Sequence, residues 1–267
     1  MSRTVVITGG TNGIGLALAR HYSERGDQVI AIGSSQAGQD RLRRQAPQAR
    51  FDRADLSSVK QTNELIDRLR STYPAIDVLV LAAFRYQLSR GETDEGFERT
   101  FALSVVNRWL MSRALRPALE RAEAPVVLDL CGVGGIRAGE IHWDDLQLER
   151  GYRPFKATMQ GARAAELLAA AYAAEPVRYV LYNPLFVATG LFEPFRQPVR
   201  GLVRLASALF AQPVSKAILP MTALIDSPPA APLSAYVRGR PVAFTPDPAA
   251  ARRLDAVIRD LVSPLTA

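Results

Sequence analysis

The chain has 267 residues, 33 Lys and Arg against 26 Asp and Glu for a formal net charge of +7, and 48% hydrophobic residues. That length suits one large α/β domain or two small ones, and the composition is that of a self-folding globular chain, which excludes a disordered one. A single cysteine, Cys131, excludes an internal disulfide, and with only His21 and His142 beside it there is no framework for zinc.

In chain order, Thr4 to Ile7 reads as a buried strand, and Leu16 to Arg25, with Leu16, Ala19 and Tyr22 on one face, as the helix after it. Gln28 to Ile32 is a second strand, Ala49 to Arg53 a weaker third, and Ser58 to Thr72 a helix with Val59, Leu65, Ile66 and Leu69 inward. Ile76 to Leu81 is a fourth strand, Phe97 to Leu119 a long helix, Pro125 to Leu130 a fifth strand, Ala157 to Ala174 an Ala-rich helix and Val177 to Tyr182 a sixth strand. Short β-branched runs alternating with helical periods are the pattern of βαβ units on a parallel sheet. From Pro184 the pattern gives way to an apolar stretch carrying Phe186, Leu191, Phe192 and Phe195 and broken by Pro194 and Pro198, expected as a lid over about 190–235. Pro241 to Phe244 is expected as a last strand, and Pro248 to Val262 as a helix with proline in its first turn. The expectation is one domain over residues 1–267.

The apolar stretch at the N-terminus ends in glycines after five residues, too short for a signal peptide or a membrane span, so a cytoplasmic protein without membrane contact is expected. All basic residues but Lys60, Lys156 and Lys216 are Arg, and they are scattered. No helix carries a basic stripe interleaved with aromatics, so nucleic-acid binding is not expected.

The first strand ends in Thr8-Gly9-Gly10-Thr11-Asn12-Gly13-Ile14-Gly15, and a helix follows. Glycines let the backbone turn tightly beside a pyrophosphate, and the helix N-terminus offers free N–H groups to the anion. Three glycines at 9, 13 and 15 inside a βαβ unit point to nucleotide binding. This motif resembles the Thr-Gly-x-x-x-Gly-x-Gly of the short-chain dehydrogenase/reductases, and the resemblance extends over nearly the whole chain. It implies a Rossmann-like α/β fold, a doubly wound parallel sheet with helices on both faces and a C-terminal lid insertion. It also implies a dinucleotide held by Gly9, Thr11, Asn12, Gly13, Ile14 and Gly15. Asp55-Leu56 is similar to the pair that contacts adenine in that family. Ala82 and Ala83 lie in the family's Asn-Asn-Ala-Gly element, altered here to Leu81-Ala82-Ala83-Phe84. Pro184 to Thr189 resembles the Pro-Gly loop under the nicotinamide, with Pro184, Val187 and Thr189 retained as contacts and Leu185 in place of glycine. Gly139 to Gln147 resembles the retinol-dehydrogenase-like branch.

Cofactor choice follows from charge. An Asp or Glu at the end of the second strand would bond the ribose 2′-OH and repel a 2′-phosphate. Here the strand ends Ile32-Gly33-Ser34-Ser35, so the Ser34 and Ser35 hydroxyls with the nearby Arg41 favour NADPH over NADH, although a plain polar turn suits either.

In the family a Tyr donates a proton to the carbonyl, a Lys four residues later lowers the Tyr pKa, a Ser polarises the carbonyl and an Asn sits on the long helix. The register from Gly139 puts Thr158 at the Tyr position and Ala162 at the Lys position; the Ser position falls on Gly132 and the Asn position on Ser104. A second Tyr-x-x-x-Lys, Tyr152 to Lys156, lies beside Gly151 and Pro154 and reads as a loop or first helical turn. Thr158 and Tyr152 are therefore the donor candidates. Cys131 reads as a small buried residue rather than a nucleophile. Tyr86, Trp143, Phe186, Phe192 and Phe195 form an aromatic set that suits either core packing or a large, flat substrate. The pattern of absences resembles atypical angucyclinone ketoreductases. It implies NADPH-dependent reduction of a polycyclic aromatic polyketide in antibiotic biosynthesis, with the proton coming from a substrate hydroxyl or water. The alternatives are a non-catalytic NADP(H)-binding protein and a non-redox isomerase or cyclase on the same fold.

Overall fold

Runs that are apolar at every position suit strands covered on both faces, and these runs become a parallel sheet. The computed structural model describes residues 2–133, 139–185, 187 and 212–265. Its strands are β1 (Thr4–Thr8), β2 (Gln28–Gly33), β3 (Arg50–Arg53), β4 (Val78–Leu81), β5 (Val126–Leu130), β6 (Arg178–Asn183), β7 (Leu233–Val237) and β8 (Arg240–Pro241). They lie in the order β3-β2-β1-β4-β5-β6-β7-β8, parallel except for the final β7–β8 pair.

Successive strand residues point to opposite faces, so the sheet divides its side chains between two cores. Val5 and Ile7 of β1, with Val78, Val80 and Val180, pack under α1 (Gly13–Glu24) and α2 (Gln36–Gln45). Val6, with Leu79, Val127 and Leu181, faces α3 (Val59–Thr72), the long helical segment and α7 (Pro154–Tyr172). Val5, Val6 and Ile7 are fully buried, each stabilising the fold by roughly 1.5–3 kcal/mol. The winding reverses between β1 and β4, and the crevice beyond the carboxyl ends of those strands is where such sheets bind ligands.

The long helix expected over Phe97 to Leu119 is segmented. It runs as α4 (Arg99–Phe101), a π-helical stretch Ala102–Val106, α5 (Asn107–Ala114) and α6 (Arg116–Leu119). Pro117 accounts for the last break, since it has no N–H to give to the carbonyl four residues earlier. α2 had no counterpart in the sequence reading: of its ten residues only Gly38 and Leu42 are buried, which leaves no apolar stripe to read.

The C-terminal part differs further from expectation. Of the expected lid over about 190–235, residues 190–211 lie outside the described residues. The rest is framework: α8 (Val214–Ala217) and α9 (Leu219–Asp226) bury Ala217, Met221 and Ile225 in the α1-side core, and β7 extends the sheet beside β6. The last strand expected at Pro241 to Phe244 is a hairpin instead. Arg238 (φ +49) and Gly239 (φ +80) make the two-residue turn between β7 and β8, a left-handed pair that suits the twist of antiparallel strands. Val242 N then donates to Ala235 O at 2.9 Å without continuing the strand. α10 (Pro248–Val262) begins as expected, with Asp247 accepting from Ala250 N at 3.0 Å, and packs on α7 and α5. Among the described residues no helix is long and apolar enough to cross a membrane, and no group of His, Cys, Asp and Glu is arranged to hold a metal.

Candidate active site

The turn after β1 folds against its neighbours closely enough to require glycine at two positions. Gly9 has φ +66, and a Cβ there would stand 2.9 Å from Ala83 Cα. At Gly15 a Cβ would overlap the Gly9 carbonyl oxygen and stand 2.9 Å from its carbon. The Thr8 hydroxyl ties the two loops together: it donates to Val80 O at 3.2 Å and accepts from Ala82 N at 3.0 Å and Ala83 N at 3.2 Å. Asn12 is extended and its side chain caps nothing, so the first-turn N–H groups at Gly13, Ile14 and Gly15 are left for an anion. Thr11 is buried, and its carbonyl accepts from Arg41 Nη1 at 3.0 Å. The turn, bare backbone beside a helix N-terminus, fits a dinucleotide pyrophosphate.

At the end of β2, the Ser35 hydroxyl accepts from Gly38 N at 3.1 Å and caps α2, while Ser34 is exposed. Ser34 O accepts from Arg53 Nε at 3.2 Å. Arg53 ends β3 in register with Gly33, so two guanidinium groups, Arg41 and Arg53, flank the serine turn. The sequence reading missed Arg53; the adjacency of the second and third strands in a doubly wound sheet was the available signal. Asp55 is exposed, with Oδ1 accepting from Ser57 N at 3.0 Å and Ser57 Oγ at 2.7 Å, and Leu56 is buried.

The positions that the sequence register is expected to match to the family's catalytic groups carry small side chains, packed in close pairs. A Cβ on Gly132, just beyond β5, would stand 2.9 Å from Ala162 Cβ on α7. A Cβ on Gly161 would stand 3.0 Å from Ser104 Cβ in the π-helical stretch. Thr158, one turn before Ala162, donates its hydroxyl hydrogen to Pro154 O at 2.9 Å. Tyr152 precedes the helix: α7 starts at Pro154 after an extended Arg153, so Tyr152 and Lys156 do not share a helix face. The Tyr152 hydroxyl donates to Gln87 O at 3.2 Å and lies 3.3 Å from Thr100 Oγ1; burial raises its pKa above the ordinary phenol value. Burial also pushes the Cys131 thiol up to about 11, so almost none is thiolate at neutral pH.

Behind this floor lies a polar network that the sequence did not reveal. Arg108 of α5 is buried, ion-paired with buried Asp129 of β5, and donates to Leu81 O at 3.2 Å and Leu130 O at 3.0 Å, the last carbonyls of β4 and β5. The Tyr179 hydroxyl donates to Asp129 at 3.0 Å, and burial pushes that phenol up to about 12. One guanidinium therefore fixes the ends of the two strands that lead into Ala82-Ala83 and Gly132. Asn107, beside it, is buried with no hydrogen-bond partner for Oδ1 among the described residues.

Of the aromatic set, Tyr86 is half-buried in the loop after β4. Trp143 packs against the α7-side core with the Arg253 guanidinium of α10 4.2 Å from its ring centroid, a structural contact. Its loop is pinned by buried Gln160, which accepts from His142 N at 3.0 Å and donates to Leu146 O at 2.7 Å. Pro184 is half-buried and Val187 buried; Phe186, Thr189, Phe192 and Phe195 lie outside the described residues. Four of the six large apolar side chains left exposed among the described residues are Phe84, Leu88, Phe155 and Leu185. They stand on segments just beyond β4 and β6 or in the first turn of α7, at the carboxyl end of the sheet.

The sequence pattern of the short chain dehydrogenase family matches residues 3–198. The chain belongs to the short-chain dehydrogenase family. It is accordingly an oxidoreductase. It is 31% identical over 229 residues to a Streptomyces sp. (strain C5) protein described as a daunorubicin C-13 ketoreductase, with 77% of this chain and 78% of that one covered. It is 26% identical over 150 residues to mouse retinol dehydrogenase 13, covering 54% of this chain and 45% of that relative. Among solved structures, a short-chain dehydrogenase from Sphingobium yanoikuyae in complex with NADPH matches with a TM-score of 0.63 and 18% identity, over 98% of this chain and 95% of that one. That match shows the shared fold.

Proposed function

We propose that this oxidoreductase uses NADPH to reduce a carbonyl of a polycyclic aromatic polyketide, without a Tyr/Lys acid catalyst. The observation that carries the proposal is the floor of the site, where Gly132, Ala162, Gly161 and Ser104 meet as small side chains and the Thr158 hydrogen is committed to Pro154 O. Bound NADPH supplies the hydride. The turn at Gly9, Gly13 and Gly15 and the N-terminus of α1 would hold the pyrophosphate; Ser34, Ser35, Arg41 and Arg53 would hold the 2′-phosphate. Asp55 and Leu56 would contact the adenine, and Ala82, Ala83, Pro184, Val187 and Thr189 the nicotinamide half. The small residues at the floor, packed on one another, present no acidic side chain to a flat ring system above them. A carbonyl flanked by a phenol in that ring system is already polarised by an internal hydrogen bond, so orientation does the work otherwise assigned to an acid. The exposed Phe84, Leu88, Phe155 and Leu185 support an apolar substrate. So does the similarity to a protein named for reducing a ketone of daunorubicin, itself a polycyclic aromatic.

The test is a panel of polycyclic aromatic ketones, with and without a neighbouring phenol, incubated with purified protein and NADPH while nicotinamide absorbance and alcohol product are followed. Turnover of the phenol-flanked members is expected. Tight NADPH binding with no turnover of any member would instead favour a non-catalytic binding protein.

A further inference from the structure

Leu185 combines two features that folding alone does not reward. Its φ is +54, the left-handed region, where a side chain crowds the following carbonyl and glycine is the usual occupant. Its side chain is also 44% exposed, so its apolar body contributes little to the core. The conformation is held from below by Asn183, the last residue of β6. The Asn183 side chain is buried, donates from Nδ2 to Val133 O at 3.1 Å and accepts at Oδ1 from Leu185 N at 2.9 Å. The turn is thus locked to the segment that follows β5, and strain of this kind persists where the surroundings over-determine it.

The position is at the carboxyl end of the parallel sheet, where ligands of open α/β sheets bind. Gly132 follows the neighbouring strand β5, and Phe84, 38% exposed, follows β4. We propose that Leu185 is a specificity-determining residue whose side chain forms an apolar wall against the aromatic face of the substrate. The strained backbone keeps that side chain out of the core and free for the ligand. This assignment rests on the aromatic-substrate reading of the site.

The test uses the full chain saturated with NADP+, with 1,8-dihydroxyanthraquinone as the probe, its Kd read by fluorescence titration, and the thermal midpoint read in parallel. Leu185→Gly and Leu185→Asn both accept a left-handed backbone, so their thermal midpoints should equal the wild type or rise by about 2 °C. Their probe Kd should rise about fivefold to tenfold, as expected for removing part of an apolar contact. Leu185→Met keeps an apolar side chain and should return the Kd to within about twofold of wild type. An unchanged Kd in the Gly and Asn variants overturns the assignment, as does a fall in midpoint without a change in Kd, which would mark Leu185 as structural. If wild type binds the probe yet reduces no ketone, the ketoreductase reading fails while the Kd series still decides Leu185. Wild type that binds no probe overturns both.

Discussion

Replacing Gly15 by alanine sets two forces of known size against each other. Gly15 lies within α1, where alanine is favoured over glycine by roughly 1 kcal/mol, so helix propensity alone predicts a more stable protein. The geometry predicts the reverse. The new Cβ would overlap the Gly9 carbonyl oxygen and stand 2.9 Å from the Gly9 carbonyl carbon and 3.1 Å from Gly10 Cα. Carbons rest at roughly 3.5–4.0 Å, and the groups struck are backbone, so no rotamer change relieves the clash. Displacing packed backbone costs about 1–3 kcal/mol, which cancels or exceeds the helical gain. Gly9 cannot retreat freely, because its own Cα side already abuts Ala83. The net expectation is a loss of about 0–2 kcal/mol in stability and at least a tenfold rise in NADPH Kd, since about 1.4 kcal/mol of misplacement suffices for that factor. Titrating NADPH fluorescence and recording a thermal melt measure both. A Kd within twofold of wild type, with a raised midpoint, would refute the assignment of this turn as the phosphate cradle.

Ser34→Asp should raise the NADPH Kd at least tenfold and change NADH little, because a carboxylate there repels only the 2′-phosphate. Arg53→Ala should shift NADPH in the same direction by a smaller factor; equal effects on the two cofactors would overturn the preference. Arg108→Met should cost about 3–5 kcal/mol in urea unfolding, since it leaves Asp129 charged and buried, and adding Asp129→Asn should recover part of that loss. A single-variant loss below about 1 kcal/mol would contradict the role given to this pair.

The elements legible in the sequence were those whose physics is local. β1, β2, β4, β5 and β6 are short runs of buried apolar side chains, and the Gly9 to Gly15 turn declares itself by spacing. The elements that escaped lack such a signature. α2 has almost no buried face, and β7 is only half-buried apart from Ala235, so neither shows the periodicity that burial imposes. The turn at Arg238-Gly239 was the available clue to the β7–β8 hairpin. Arg108 and Asp129 stand on different elements, and nothing local in either segment announces a buried ion pair. Gly151 and Pro154 make the Tyr152 to Lys156 spacing read as a loop or first helical turn, and Pro154 starts the helix two residues after Tyr152, so the pair shares no face.

On the proposed mechanism the proton reaching the substrate comes neither from Thr158, at the Tyr position, nor from Tyr152. The most direct measurement is kcat/KM for the best ketone of the panel in a protein carrying both Tyr152→Phe and Thr158→Ala. A value within about threefold of wild type is expected on the proposal that a substrate hydroxyl or water supplies the proton. A thousandfold loss, about 4 kcal/mol of transition-state stabilisation, would identify one of these hydroxyls as the acid and contradict the account.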